Sequence, residues 1–359
     1  MNKKYNVVDL FAGVGGLSYG FAHSDKFDIV LANEWIPDIA KAYSLNHPDV
    51  EMLNMNICDL TEDLLKEKLN GKSIDVVVGG PPCQSYSTAG KREIDDRANL
   101  FLEYKRILTI LNPKIFIFEN VVGVLSMDSG KLFNKIQLEF KSIGYDLKYK
   151  VLNAADYGVP QLRKRVILVG CKGENTFEYP APTHGEGLIP YVTLEDAIGD
   201  LPELGNNESA DFYKYEVKND FLSFVKDGCN SVLTEHKSPK SKDHLIELMK
   251  KLGDGEGKEV LPEEERPKSF GNSFAKLWWK RPSTTITCSF ATPTSARCIH
   301  PRDSRALTVR EGARLQSFPD DYIFYGSDSM KRKEVGNAVP PLLSMAISKE
   351  VYNYLKGQK

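Results

Sequence analysis

The residues of this chain best suited to covalent chemistry are a cysteine, a glutamate and two arginines, each at the edge of an apolar run. Cys83 lies in "VVVGGPPCQSYSTAGKR" (76–92), where a valine run ends on two glycines and two prolines. Pro81 and Pro82 restrict the backbone before it, so the thiol can be held toward a cleft. Its thiolate is a strong nucleophile once nearby positive charge or backbone donors lower the pKa. The following "QSYSTAGKREIDDR" has glycine and charges in place of core periodicity and reads as a loop able to close over a reacting complex. Glu119 ends "KIFIFEN" beside Asn120, emerging from an apolar strand, where a carboxyl can hold or deliver a proton. Arg163 and Arg165 in "QLRKR" sit on alternate positions of a strand and so point to one face, as an electrostatic clamp requires. Each residue alone has an ordinary reading, a buried inert thiol or a paired surface charge. Together they supply a nucleophile, an acid and a clamp.

A second constellation lies at the N-terminus. "DLFAGVGGLSYGF" (9–21) puts Gly13, Gly15 and Gly16 between a strand and a helix, where missing Cβ atoms let a ligand approach the backbone. The spacing is neither GxGxxG nor a GK[ST] phosphate loop, which disfavours dinucleotides and nucleoside triphosphates. Glu34, after "DIVLAN", can accept ribose hydroxyls, Asp59 after "NIC" can accept an adenine amino hydrogen, and Phe11 offers an aromatic face. All three fall at strand ends, the carboxyl edge of a parallel sheet. Their order points to an adenosine-bearing small molecule, with S-adenosylmethionine as one candidate.

These residues need a scaffold, and the periodicities describe one. "YNVVDLF", "FDIVLANE", "SIDVVVGGPP" and "KIFIFENV" are short apolar runs separated by helical patterns such as "IPDIAKAYSLNH" and "ANLFLEYKRILTILNP". That alternation predicts an α/β fold with a mostly parallel central sheet. "YDLKYKVLNAADYGVPQLRKRVILVG" predicts an antiparallel hairpin at its edge. After Gly170 the texture becomes polar and rich in Gly and Pro, predicting a smaller, irregular domain. The expected division is 1–180, 181–325 and a C-terminal segment, 326–359.

The 359 residues carry 47 basic and 49 acidic side chains, so the chain is no polybasic binder, although a local basic cleft can still meet a polyanion. The N-terminus lacks a secretory or membrane-spanning apolar run, which predicts a cytoplasmic protein without membrane attachment. Six cysteines form no close CxxC pair, and neither a metal nor a disulfide framework is expected.

Taken in order, "DLFAGVGGLSYGF", "NEWIPDIAKAYSLNHP", "GGPPCQSYSTAGKR", "DDRANLFLEY", "FENVVG", "YGVPQLRKRVILVG", "RALTVREGARLQSFPDDY" and "GNAVPP" resemble the motifs of the DNA (cytosine-5)-methyltransferases of bacterial restriction–modification systems. The resemblance covers about residues 5–170 and 281–345. It implies an S-adenosylmethionine-dependent, Rossmann-like catalytic domain and a smaller target-recognition domain, the C-terminal segment returning to the first. It implies cofactor contacts from Phe11, Glu34 and Asp59, with Gly13, Gly15 and Gly16 shaping the methionine end, Ala12, Leu17 and Pro81 beside them, and Trp35 packing on adenine. Asn337 and Ala338 of "GNAVPP" would close the pocket; Glu334 stands where the family usually has Gln. In the implied mechanism Cys83 adds to cytosine C6, Glu119 serves N3, and C5 takes the cofactor methyl group. Arg165, with Arg163 as partner or organiser, holds the O2 side, while Pro82, Gln84 and Asn120 support the site.

The resemblance also implies a duplex substrate from which the target base is flipped out. Ser85, Lys91 and Arg97 are then candidates for phosphate contacts. The segment 280–310 holds Lys280 and five arginines against one acid, so Arg281, Arg297 and Arg302 are expected on DNA, whereas Arg305 and Arg310 read as structural. The Trp278–Trp279 pair reads as an anchor rather than a wedge. A monomer is expected, with a cognate restriction endonuclease acting on the same site without a stable complex. The rival readings are a tRNA cytosine-5 methyltransferase and a non-catalytic DNA-binding protein of the same fold. The second would be expected to lack Cys83 or Glu119.

Overall fold

In the computed structural model the described residues are 4–82, 100–214, 216, 219–229, 232–269 and 271–358. They fall into two compact units. The first comprises 1–153, 164–181 and 343–359.

Its centre is a seven-stranded sheet: β1 (Tyr5–Leu10), β2 (Phe27–Asn33), β3 (Glu51–Leu53), β4 (Val76–Gly79), β5 (Ile115–Val121), β6 (Tyr145–Asn153) and β7 (Lys164–Lys172), in the order 3-2-1-4-5-7-6. The runs that read as uninterrupted apolar segments, Val76–Gly79 foremost, are buried on both faces, as parallel strands under helices must be. β1 to β5 are parallel; β7 pairs antiparallel with both β5 and β6. The predicted hairpin is therefore present, with its second strand inserted next to β5 and its first at the edge.

Among the described residues five helices connect the strands: α1 (Gly16–Ala22), α2 (Pro37–Asn46), α3 (Glu62–Leu69), α4 (Leu100–Leu111) and α5 (Lys131–Lys141). α4 buries Phe101, Tyr104, Ile107 and Leu108, a helical stripe, into a core that includes Val77, Phe116, Phe118 and Phe140. Tyr104 donates its hydroxyl hydrogen to Ile117 O (2.9 Å), satisfying the one polar atom the stripe carries inward. Strand order reverses between β1 and its neighbours β2 and β4, so their carboxyl ends open at a topological switch point, where ligands of such sheets bind.

The second unit comprises 154–163 and 182–342. Its helices are α6 (Leu194–Ile198), α7 (Asp220–Val225), α8 (Asp243–Lys250), α9 (Val309–Leu315) and α10 (Asp328–Asn337). Capping boxes at Thr193/Asp196 and Thr308/Glu311 start α6 and α9. Much of its interior is ionic: Arg163, Arg305, Arg310 and Arg314 are among the largest fully buried side chains.

Two boundaries differ from the sequence expectation. Residues 154–163 belong to the second unit, and so do 326–342. α10 packs on α9, and Gln316 donates to Val335 O (2.7 Å), which keeps the "GNAVPP" turn there. The return to the first unit begins at Leu343, within the last helix, α11 (Pro341–Gly357). α11 reaches α1 closely because residue 20 is glycine: a Cβ there would lie 2.4 Å from the Ser344 carbonyl carbon. Gly20 N donates to Ser344 Oγ (2.9 Å), and Ser348 Oγ donates to Gly20 O (2.8 Å).

Candidate active site

At the carboxyl edge of the first unit's sheet, β4 ends at Gly79 and the chain passes through Gly80, Pro81 and Pro82. Cys83 itself, with Gln84, Ser85, Lys91 and Arg97, lies outside the described residues. The groups that approach this point are described. Asn120 Nδ2 donates to Pro81 O (3.0 Å), bracing the segment from β5. A Cβ on Gly80 would stand 2.8 Å from Glu119 Oε2, so any side chain there would push that carboxylate out of place.

Glu119 faces Arg165 across the β5–β7 ladder. Arg165 is paired with Val121 in register, so the two side chains are diagonal neighbours on one face. Arg165 Nε lies 2.8 Å from Glu119 Oε1 in an ion pair, and each side chain is only 12 % exposed, while Arg165 Nη1 donates to Lys164 O (2.8 Å). The ion pair holds the two groups together, with Glu119 Oε2 turned toward Gly80.

Arg163 does different work. Two residues earlier, and in the second unit, it is fully buried, with Nη1 donating to Ile286 O and Nη2 to Gly336 O, each at 2.9 Å. The alternation expected over 163–165 does not make a matched pair, because Arg163 precedes β7, which starts at Lys164. Its guanidinium ties the 286 segment to the end of α10. Gln161 joins it, accepting from Ile286 N (2.8 Å) and donating to Leu315 O (2.9 Å).

The nucleoside candidates cluster at the ends of β1 and β2. Phe11 has φ +56°, a left-handed conformation that is costly for a bulky residue and is typically retained at binding sites. Gly13 (φ +57°) and Gly15 (φ +96°) carry the turn into α1, where Gly16 and Leu17 are buried; Ala12 is buried just before it. A Cβ on Gly13 would meet nothing within 4 Å, so the backbone there borders open space. The buried Glu34 carboxylate accepts from Gly13 N (3.1 Å) and Ile36 N (2.9 Å), which fixes its direction. Trp35 is 61 % exposed, which removes core packing as its role. Asp59 is exposed on a 3-10 turn that Arg106 secures by donating to Ile57 O and Leu60 O, both at 2.9 Å.

In the second unit Asn337 is exposed and Ala338 half-buried, and the Cys288 thiol donates to Asn337 Oδ1 (3.1 Å). Glu334 is buried and accepts from Tyr325 N (3.1 Å), a bond that the carbonyl of a glutamine would also make. Among the arginines expected on DNA, Arg297 is half-buried and engaged within its own unit. It donates to Gly255 O and Lys276 O and stacks on Trp278 with its guanidinium 4.2 Å from the ring centroid. Arg281 is exposed near Trp278, and Arg302, 57 % exposed, stacks on Trp279 at 4.1 Å. Trp279 is buried, as an anchor is. Arg305 forms a two-bond pair with Glu311, both at 2.8 Å, and Arg310 donates to Thr234 O (3.0 Å), so these two are structural.

Several supporting residues carried no sequence signal beyond element membership. Asn33 donates to Leu53 O and Met55 O, and Asn54 donates to Glu34 O, tying together the loops that present Glu34 and Asp59. Arg106 read only as part of an amphipathic helix. An Asn ending a strand and a lone Arg on a helix are too common to single out without their partners in space.

Strand order 3-2-1-4-5-7-6, a glycine turn after β1 and carboxylates at successive strand ends define a Rossmann-like methyltransferase fold. The family model of the C-5 cytosine-specific DNA methylases matches residues 5–353, and the chain belongs to that family. Among its relatives are the Type II methyltransferases M1.HphI of Haemophilus parahaemolyticus (37 % identical, covering 96 % of this chain and 86 % of that one) and M.DdeI of Desulfomicrobium norvegicum (33 %, covering 98 % and 89 %). A prophage-encoded E. coli protein assigned as a DNA modification methyltransferase is similar in structure, with TM-score 0.80 and 26 % identity, covering 98 % of this chain and 100 % of that one. The chain is thus a DNA (cytosine-5)-methyltransferase of restriction–modification type.

Proposed function

We propose that the protein transfers the methyl group of S-adenosylmethionine to C5 of a flipped-out cytosine in a specific duplex sequence, through covalent attack by Cys83 on C6. The observation that carries this reading is the Glu119–Arg165 pair, held against Gly80 at the edge where the Pro81–Pro82 segment leaves the sheet. The residues fit the cofactor: open space beside Gly13, an oriented Glu34, an exposed Trp35 ring and an exposed Asp59 are what an adenosine with little phosphate would use.

When bound, the cofactor supplies an electrophilic methyl group on sulfur. The chain's residues make cytosine reactive toward it. The Cys83 thiolate adds to C6 while Glu119 holds a proton at N3, so the ring electrons collect at C5. Arg165 keeps Glu119 in place and faces the charge that develops on the O2 side. After transfer a base takes the C5 proton and Cys83 leaves, restoring the aromatic ring and the thiolate.

The setting we propose is cytoplasmic, acting as a monomer that protects host DNA against a cognate endonuclease with which it forms no stable complex. Among the described residues no helix is long and apolar enough to cross a membrane. Exposed Arg281 and Arg302 in the second unit are the remaining candidates of the basic segment for DNA contact.

Mapping methylcytosine in duplex DNA after incubation with protein and S-adenosylmethionine tests the reading. Methylation confined to one short sequence is expected; methylation of tRNA alone overturns it. Cys83→Ser is expected to lower transfer on the order of 10³-fold or more and to abolish the adduct with 5-fluorocytosine duplex. Glu34→Ala is expected to weaken cofactor binding by about 10–100-fold, since a charged acceptor for backbone and ribose is lost. Titration calorimetry reads this directly.

A further inference from the structure

Beneath the glycine turn lies a carboxyl group that the proposed mechanism does not use. Asp9, on β1, is completely buried between Ala32 of β2 and Val78 of β4 in the sheet. Its Oδ2 accepts from Ser18 Oγ of α1 (2.5 Å), and Ser18 Oγ is in turn 2.8 Å from the Tyr43 hydroxyl of α2, whose ring meets that of His47 at a tilt. Oδ1 is buried with no hydrogen-bond partner among the described residues.

Among the described residues the charged neighbour that acts on Asp9 is another acid, Glu34, and the phenols of Tyr43 and Tyr104 lie near it. No lysine or arginine among the described residues pairs with it. Burial, and then Glu34, push the Asp9 carboxyl up to about 7, against the opposing effect of the Ser18 bond. A buried acid beside a second acid, without a cation, is half of an electrostatic arrangement.

We propose that Asp9 is an electrostatic positioning residue for the cofactor: with Glu34 it supplies the negative field that favours a cationic sulfonium ligand over the neutral thioether left after methyl transfer. The inference rests on S-adenosylmethionine being the cofactor. S-adenosylmethionine carries a permanent positive charge that S-adenosylhomocysteine lacks, and the two are otherwise nearly the same size. Retaining the first and releasing the second is what turnover requires, and neither shape nor hydrogen bonding to ribose distinguishes them.

The test is calorimetric titration of the full chain with each compound, without DNA, from about pH 6 to about pH 8. In the unsubstituted protein the preference for S-adenosylmethionine is expected to rise about tenfold across that interval as Asp9 ionises. In Asp9→Asn, which keeps the acceptor for Ser18, the preference is expected to stay flat at its low-pH value. Ser18→Ala keeps the acid but loses the bond that lowers its pKa, so the rise is expected to persist with its midpoint moved to higher pH. Thermal unfolding checks that each variant folds. It carries its own sign: the raised Asp9 value stabilises the fold in acid and that contribution is lost as pH rises through about 7, so the Asn variant gains on the parent toward alkaline pH. A pH-independent preference in the parent, or a rise that survives Asp9→Asn, overturns the inference while leaving the proposed function standing. Absence of binding by both compounds at every pH overturns the cofactor assignment itself.

Discussion

Glu119→Gln is expected to slow methyl transfer by about 10²–10⁴-fold while leaving S-adenosylhomocysteine binding unchanged. The amide has nearly the same volume and still offers an acceptor to Arg165 Nε, so the geometry at β5–β7 is retained. What it loses is the proton that the proposed mechanism has Glu119 hold at N3, and the negative charge that balances Arg165 where both side chains are almost covered. Single-turnover transfer to duplex DNA separates this from a binding defect, and the cofactor isotherm reports whether the first unit remains intact. Transfer at the parent rate would remove Glu119 from the mechanism. Arg165→Lys provides the companion measurement. A lysine keeps the charge but replaces a planar fork with a point donor, so partial activity is expected where orientation matters and full activity where charge alone suffices.

The largest expected effect on stability comes from Arg314→Met. Arg314, at the end of α9, donates through Nε and Nη2 to the two oxygens of Asp320 (2.9 and 2.6 Å), through Nη1 to Ala197 O (3.0 Å), and to Asp200. All three charged groups are buried, and Tyr213 completes Asp320 with a hydroxyl bond of 2.8 Å. Removing the cation leaves the two buried carboxylates with only the longer contacts among the described residues, Lys226 to Asp200 (3.4 Å) and Arg310 to Asp320 (3.5 Å). A loss of about 3–5 kcal/mol follows, or about 10 °C in the unfolding midpoint. Adding Asp200→Asn to Arg314→Met is expected to recover part of it, because Lys226 is partly exposed and can turn to solvent while Asp320 keeps Arg310. The guanidiniums of Arg314 and Arg310 hold the Asp320 carboxyl below the usual range despite its burial. The ion cluster therefore contributes stability above the carboxylate range and loses it as pH falls through that lowered value. Equal unfolding midpoints for the parent and Arg314→Met would show that the cluster contributes nothing.

The α/β alternation was legible because a parallel sheet buries strands on both faces, and such strands must be written as apolar runs with polar or glycine-rich ends. Val76–Gly79, Ile115–Val121 and the helical stripe of Phe101, Tyr104, Ile107 and Leu108 all follow from that requirement. Less legible was the ionic interior of the second unit. Arg305, Arg310 and Arg314 lie in a stretch rich in charge, and only their acid partners, Asp200 among them from more than a hundred residues away, explain how they are buried.

The sequence by itself determined the kinds of chemistry available: a cysteine in a proline-restrained turn, an acid ending an apolar strand, arginines on a hairpin and carboxylates at strand ends. These are local properties, set by residue type and by the period of two or 3.6 that places each side chain. Tertiary structure decided how the charges are divided. Arg163 and Arg165 look equivalent in "QLRKR", yet one is spent on the carbonyls of Ile286 and Gly336 and the other on Glu119. Asp9 looks like a strand residue before a glycine turn, yet it is the buried acid whose charged neighbour is Glu34. Pairing depends on which groups meet across distant segments, and burial then decides what each pairing is worth.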